Sequence, residues 1–172
     1  MKELILGGVR SGKSRLAERR ARESGREVVY IATAIAAGDS ELAERIREHR
    51  RRRPPGWSTV EEPVALSAAL RAHAGNERCL LVDCLTLWLT NLLSGAADRF
   101  ERERQSLVDV LPQLPGDLIL VSNETGLGVV PLGELSRRFV DASGELHQAL
   151  AAMCDRVTLT IAGLPHPLKG TS

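Results

Sequence analysis

The sequence predicts a three-layer α/β domain, with a mostly parallel central sheet flanked by helices. Three observations predict it. Short apolar runs bounded by turn residues recur along the chain. Each run is continuous instead of alternating, as expected of strands covered on both faces. Between the runs lie polar stretches rich in Ala, Arg and Glu with helical spacing, and strand–helix alternation gives this layering. The 172 residues suit one domain, residues 1–172.

In chain order, the strands expected are Leu4-Ile5-Leu6, Val28 to Ala32, Cys79 to Val82, Leu118 to Val121 and Val157 to Ile161. Helical stretches are expected over 13–24, 40–53, 63–74, 86–94, 98–112 and 134–152. Pro54-Pro55-Gly56 ends the second helical stretch, and Pro112 to Gly116 ends the fifth. The segment between the second and third strands runs to about 45 residues, far more than a plain crossover needs. A functional helical insertion around 36–75 is the expectation.

Hydrophobic residues make up 43% of the chain and aromatics 3%, so the core is expected to rest on Leu, Val, Ile and Ala. Scarce aromatics leave few platforms for stacking single-stranded bases. A net charge of +1 makes the whole chain no electrostatic magnet for nucleic acid or membranes, and neither is expected as a partner. No apolar run approaches the ~20 residues of a membrane span. Cys79, Cys84 and Cys154 are odd in number and lack zinc-type spacing, which suits buried thiols in a reducing compartment. Strand residues begin almost at Met1, with no signal-type segment, so a cytoplasmic location is expected.

Gly7-Gly8-Val9-Arg10-Ser11-Gly12-Lys13-Ser14 fits the phosphate-loop pattern G-x-x-x-x-G-K-[ST], between an apolar strand and a helical stretch. Glycines let successive backbone N–H groups face a phosphate, and the helix N-terminus adds positive dipole. In that setting Lys13 reaches the β- and γ-phosphates and the Ser14 hydroxyl ligates Mg²⁺. The acid that completes the metal site is expected at a strand end, where Asp83 stands; a helix cap is the other reading of Asp83. Asn123-Glu124 is either a further ligand at the sheet's C-terminal edge or a polar turn before Gly126.

In the insertion, Ser40 is a plausible N-cap, Leu42 and Ile46 form an apolar stripe, and His49 falls on the same face. The residues leave three readings open. His49 is a stripe-edge residue beside a solvated run Arg50 to Arg53, or the arginines meet nucleic acid. In the third, the arginines hold a nucleotide whose phosphorus His49 attacks.

Here the sequence resembles the bifunctional adenosylcobinamide kinase / adenosylcobinamide-phosphate guanylyltransferase family of cobalamin biosynthesis. The resemblance rests on the phosphate loop, Tyr30-Ile31-Ala32-Thr33-Ala34, and Arg45-Ile46 with His49-Arg50 and Arg53-Pro54. It continues through Trp57, Thr59 and Glu61, Asp83 to Thr86, Thr90 to Leu93 and Val121 to Pro131. It implies a RecA-like P-loop fold using ATP, GTP and Mg²⁺, with members forming trimers. It also implies phosphorylation of the aminopropanol hydroxyl of adenosylcobinamide, then GMP transfer from GTP to that phosphate through a GMP–histidine at His49. The implied nucleotide contacts are the phosphate loop, Ala32, Thr33, Ala34, Arg50, Arg51, Arg52, Arg53, Glu61 and Asp83. Some members carry a second histidine where Glu48 stands here. His73 and His147 read as ordinary surface or helix residues, and His166, in a tail only roughly family-like, has no assigned role. Outside the resemblance, two alternatives are a single-activity P-loop kinase with a structural His49 and a nucleotide-gated regulator.

Overall fold

The computed structural model describes residues 1–35, 44, 47, 48, 50, 51 and 53–170. Seven strands form one sheet in the order β3-β2-β4-β5-β1-β6-β7. They are β1 (Lys2–Gly7), β2 (Glu27–Ala32), β3 (Ser58–Glu61), β4 (Arg78–Asp83), β5 (Asp117–Asn123), β6 (Arg156–Ile161) and β7 (Leu164–Lys169). All neighbours pair parallel except β6 and β7. The helices are α1 (Lys13–Glu23), α2 (Leu66–His73), α3 (Leu85–Leu93), α4 (Ala97–Val110) and α5 (Glu134–Met153). A 3₁₀ turn, Leu111–Gln113, carries Pro112 early, where a missing N–H is harmless.

Alternate side chains of the inner strands feed two cores. Ile5, Tyr30, Leu81, Ile119 and Val121 pack with Leu16, Ala17 and Ala21 of α1. Leu4, Leu6, Ile31, Leu80, Val82 and Leu120 pack on the other face with α2, α3, α4 and α5. Both faces are covered, which is why the strand sequences read as unbroken apolar runs. Aliphatics dominate as expected, yet two of the few aromatics, Trp88 and Tyr30, are also fully buried. Burial of the indole is offset by a hydrogen bond, Trp88 Nε1–H donating to the Val64 carbonyl at 2.8 Å.

Two strands are additional to those expected from the sequence. β3 lies within the segment assigned to the insertion, and with α2 it belongs to the sheet framework, pairing β2 from Val29↔Ser58 to Ala32↔Glu61. It is a four-residue edge strand with one apolar residue, Val60, so it carries no periodic signal. β7 lies beyond the last strand expected, in the tail that is only roughly family-like. It returns from β6 through Ala162-Gly163, both at positive φ (52° and 81°), the backbone of a two-residue hairpin turn. With Ile161↔Leu164 closing the hairpin, Pro165 and Pro167 fall at the non-hydrogen-bonded sites opposite Thr160 and Thr158. Their nitrogens therefore face away from β6.

Glu44, Arg47, Glu48, Arg50 and Arg51 are helical, within the stretch expected over 40–53. Ser40, Leu42, Arg45, Ile46, His49 and Arg52 lie outside the described residues. Among the described residues, no helix is long and apolar enough to cross a membrane.

Candidate active site

The parallel strands end on one edge, and register places the predicted residues along it. Gly7 pairs with Asn123, and Ala32 pairs with both Asp83 and Glu61. β5 lies between β1 and β4. Its end, Asn123-Glu124, therefore opens between the phosphate loop and Asp83.

The loop is built around its glycines. Gly12 holds φ +97°, and a Cβ there would stand 3.1 Å from the Gly163 Cα. At Gly7 a Cβ would meet Ser11 Oγ at 2.5 Å and the Thr160 carbonyl oxygen at 2.6 Å. The β6–β7 turn braces the loop from below, Gly163 N–H donating to the Ser11 carbonyl at 2.8 Å. Lys13 is buried and its Nζ donates to the Gly8 carbonyl at 3.1 Å. Burial lowers its pKa from the ordinary lysine value, and the nearby Asp83 charge partly opposes that. Helix α1 has no side-chain cap and no acid in its first turn. Its leading amides are thus left for an anion, and the loop fits a polyphosphate.

Asp83 accepts a hydrogen bond from the Tyr30 hydroxyl at 3.0 Å. The helix that follows is capped instead by Cys84, without a side-chain bond, so Asp83 is no helix cap. The Arg53 guanidinium stacks 3.6 Å from the Tyr30 ring centroid, which ties the end of the insertion to Asp83. Burial, then Asp83, raise the Tyr30 phenol well above its ordinary pKa. Among the described residues no cluster of three His, Cys, Asp or Glu could hold a metal. A cation bound by Ser14, Asp83 and nucleotide oxygens is the arrangement Mg²⁺ tolerates.

Beside this edge, Arg50, Arg53, Pro54, Pro55, Trp57, Thr59 and Glu61 line an open cleft of about 450 Å³. Arg50 forms an ion pair with Glu61, and Arg53 donates to Thr59 Oγ1 at 3.4 Å. Arg51 sits apart, exposed and paired with Glu44 at 3.7 Å. Thr33 is fully buried, and its hydroxyl bonds the Cys84 backbone on both sides, donating to the carbonyl at 2.7 Å and accepting from N–H at 3.1 Å. Its side chain thus locks the β2 end to the β4 end, between Ala32 and Ala34. The three cysteines are free and buried, and burial pushes Cys84 up to about 11.

The largest departure is His147, which read as an ordinary helix residue. It is 7% exposed, on the buried stripe of α5 beside Ser143 and Leu146. Its Nε2 lies 2.8 Å from Ser122 Oγ, and its Nδ1 lies 3.7 Å from Glu124 Oε2. Burial lowers its pKa from 6.5, with Glu124 opposing. The available signal was the period of α5, which puts His147 four residues after Ser143 and three before Leu150 on an apolar face. A buried imidazole requires a polar partner.

Residues 3–168 match the family described as cobinamide kinase / cobinamide phosphate guanyltransferase. The chain belongs to that family. It is 67% identical over 171 residues to the bifunctional adenosylcobalamin biosynthesis protein CobP of Pseudomonas aeruginosa, covering 99% of this chain and 98% of that one. It is 38% identical to the bifunctional adenosylcobalamin biosynthesis protein CobU of Escherichia coli, covering 96% and 98%. Among solved structures it is similar to the RadB recombinase, with a TM-score of 0.50 and 16% identity, covering 92% of this chain and 73% of that one. That likeness speaks for the RecA-like P-loop fold alone. Family membership makes the chain a nucleotide-using transferase of cobalamin biosynthesis, with kinase and guanyltransferase activities.

Proposed function

We propose that the chain phosphorylates the aminopropanol hydroxyl of adenosylcobinamide with ATP or GTP, then transfers GMP from GTP to that phosphate through His49. The products are adenosylcobinamide-GDP and pyrophosphate. The observation that carries this reading is the convergence of the phosphate loop, Asp83 and the Arg50/Arg53/Glu61 cleft on one sheet edge. Gly7 to Ser14 cradle the triphosphate, and Lys13 sets its ammonium against the phosphates. Ser14 and Asp83 hold Mg²⁺, which supplies charge neutralisation on the phosphate oxygens when bound. Ala32, Thr33 and Ala34 border the nucleotide beside Asp83, with Thr33 fixing the backbone there. Arg50 and Arg53 wall the cleft with Glu61, and the nucleotide-binding roles of Arg51 and Arg52 are carried by the family resemblance.

His49 lies outside the described residues, but its neighbour Arg50 pairs with Glu61 at the cleft. That supports an imidazole at this position within reach of a nucleotide held there. The attacking nitrogen must be neutral, and flanking arginines disfavour the imidazolium. A covalent intermediate splits the transfer into two displacements and makes that half ping-pong.

Incubation with α-labelled GTP and Mg²⁺ is expected to leave an acid-labile, base-stable GMP adduct on the protein, absent from His49→Ala. An adduct that persists in that variant, or none in the parent chain, rejects the histidine route.

A further inference from the structure

A row of polar side chains leads from α3 across β5 and α5 to a carboxylate at the β5 edge. Asn123 N–H donates to Thr86 Oγ1 at 2.7 Å, and the Thr86 hydroxyl lies 3.5 Å from Ser122 Oγ. Ser122 Oγ lies 2.8 Å from His147 Nε2, and His147 Nδ1 faces Glu124 Oε2 at 3.7 Å. A carboxylate only accepts, so the ring proton is best placed on Nδ1, leaving Nε2 to accept from Ser122. With that tautomer the imidazole N–H faces the Glu124 carboxylate. The other oxygen, Oε1, accepts from Gly126 N–H at 2.6 Å, which fixes the carboxylate against its own loop. Glu124 is itself anchored to the phosphate loop, its N–H donating to the Gly7 carbonyl at 3.1 Å. An oriented anion is thus set beside the triphosphate cradle, just past the end of β5, which lies between β1 and β4.

We propose that Glu124 is the general base of the kinase step, with His147 as its positioning residue. As the acceptor alcohol attacks the γ-phosphorus, its O–H proton passes to the Glu124 carboxylate. The new O–P bond forms, the bond from the γ-phosphorus to the β,γ-bridging oxygen breaks, and a nucleoside diphosphate leaves. The proton then returns to solvent. The two activities differ in this requirement. An alcohol must lose its proton, whereas a phosphate monoester is already mostly ionised near neutral pH. The guanylyl half therefore has no use for this base. The inference rests on the proposed order of steps but not on His49, since the adduct experiment reads that residue separately.

Glu124→Gln keeps an oxygen for Gly126 N–H and removes the base. Kinase kcat on cobinamide is expected to fall about a hundredfold or more, with KM for nucleotide and corrinoid within about twofold. Transfer of GMP to cobinamide phosphate supplied directly should change far less than the kinase rate. In Glu124→Ala, added formate should restore part of the kinase rate. His147→Ala should lower kinase kcat in the same direction but less, with KM held. Nuclear magnetic resonance of the imidazole checks the contact without turnover, since loss of the Glu124 charge should lower the His147 midpoint further. A kinase kcat within a few-fold of the parent in Glu124→Gln overturns the proposal. Parallel loss of both activities, failure of formate, or an unmoved His147 midpoint does the same.

Discussion

Burial pushes both Lys13 and His147 toward their neutral forms, and in each case one carboxylate works against it: Asp83 for the lysine, Glu124 for the histidine. Each side chain is thus held next to the anion that justifies its place. For His147 the folded pKa lies below 6.5, so between the two values the unfolded chain binds the extra proton. Its neutral form contributes stability that is fully present above 6.5 and is lost as pH falls toward the folded value. Urea unfolding of the parent chain should show that loss on acidification, and His147→Gln should lessen it. Identical pH slopes for the two proteins would contradict the buried neutral imidazole. Residues such as Lys13 and Asp83 were legible because a fixed motif and a strand end announce them. Thr86, Ser122 and His147 were not, because a serine, a threonine and a helical histidine acquire chemistry only when folding brings three elements together.

At the level of elements, legibility followed burial on both faces. β1, β2, β4, β5 and β6 are inner strands, and their continuous apolar runs made them visible. β3 and β7 are the two edges; one is too short and polar, the other is broken up by Pro165 and Pro167. Turns were visible as Pro and Gly breaks, but the backbone geometry they need was not. Gly116, just before β5, holds φ +75°, and a Cβ there would stand 2.1 Å from the Gly75 carbonyl oxygen and 2.5 Å from that of Arg78. This backbone cannot yield cheaply, since it leads into β4 and β5 together. Gly116→Ala should cost about 2 kcal/mol or more, read as a lower urea midpoint at an unchanged slope. A midpoint equal to that of the parent would show that the turn relaxes freely.

For the molecule as a whole, net charge and sheet order fit an enzyme that meets small anionic substrates at one edge. The trimer that the family resemblance implies is expected in solution. Sedimentation equilibrium should return three times the 18.7 kDa chain mass, and a monomer at micromolar concentration would contradict it. The hairpin bracing the phosphate loop also bears on how copies can meet. With two of its outward positions lacking a donor, the last strand is a poor template for a neighbour's backbone, so a sheet running continuously from one subunit into the next through this border is disfavoured. Contact between copies along this side must therefore come from interlocking side chains, and the strand that steadies the nucleotide cradle is kept from being drafted into a fibre.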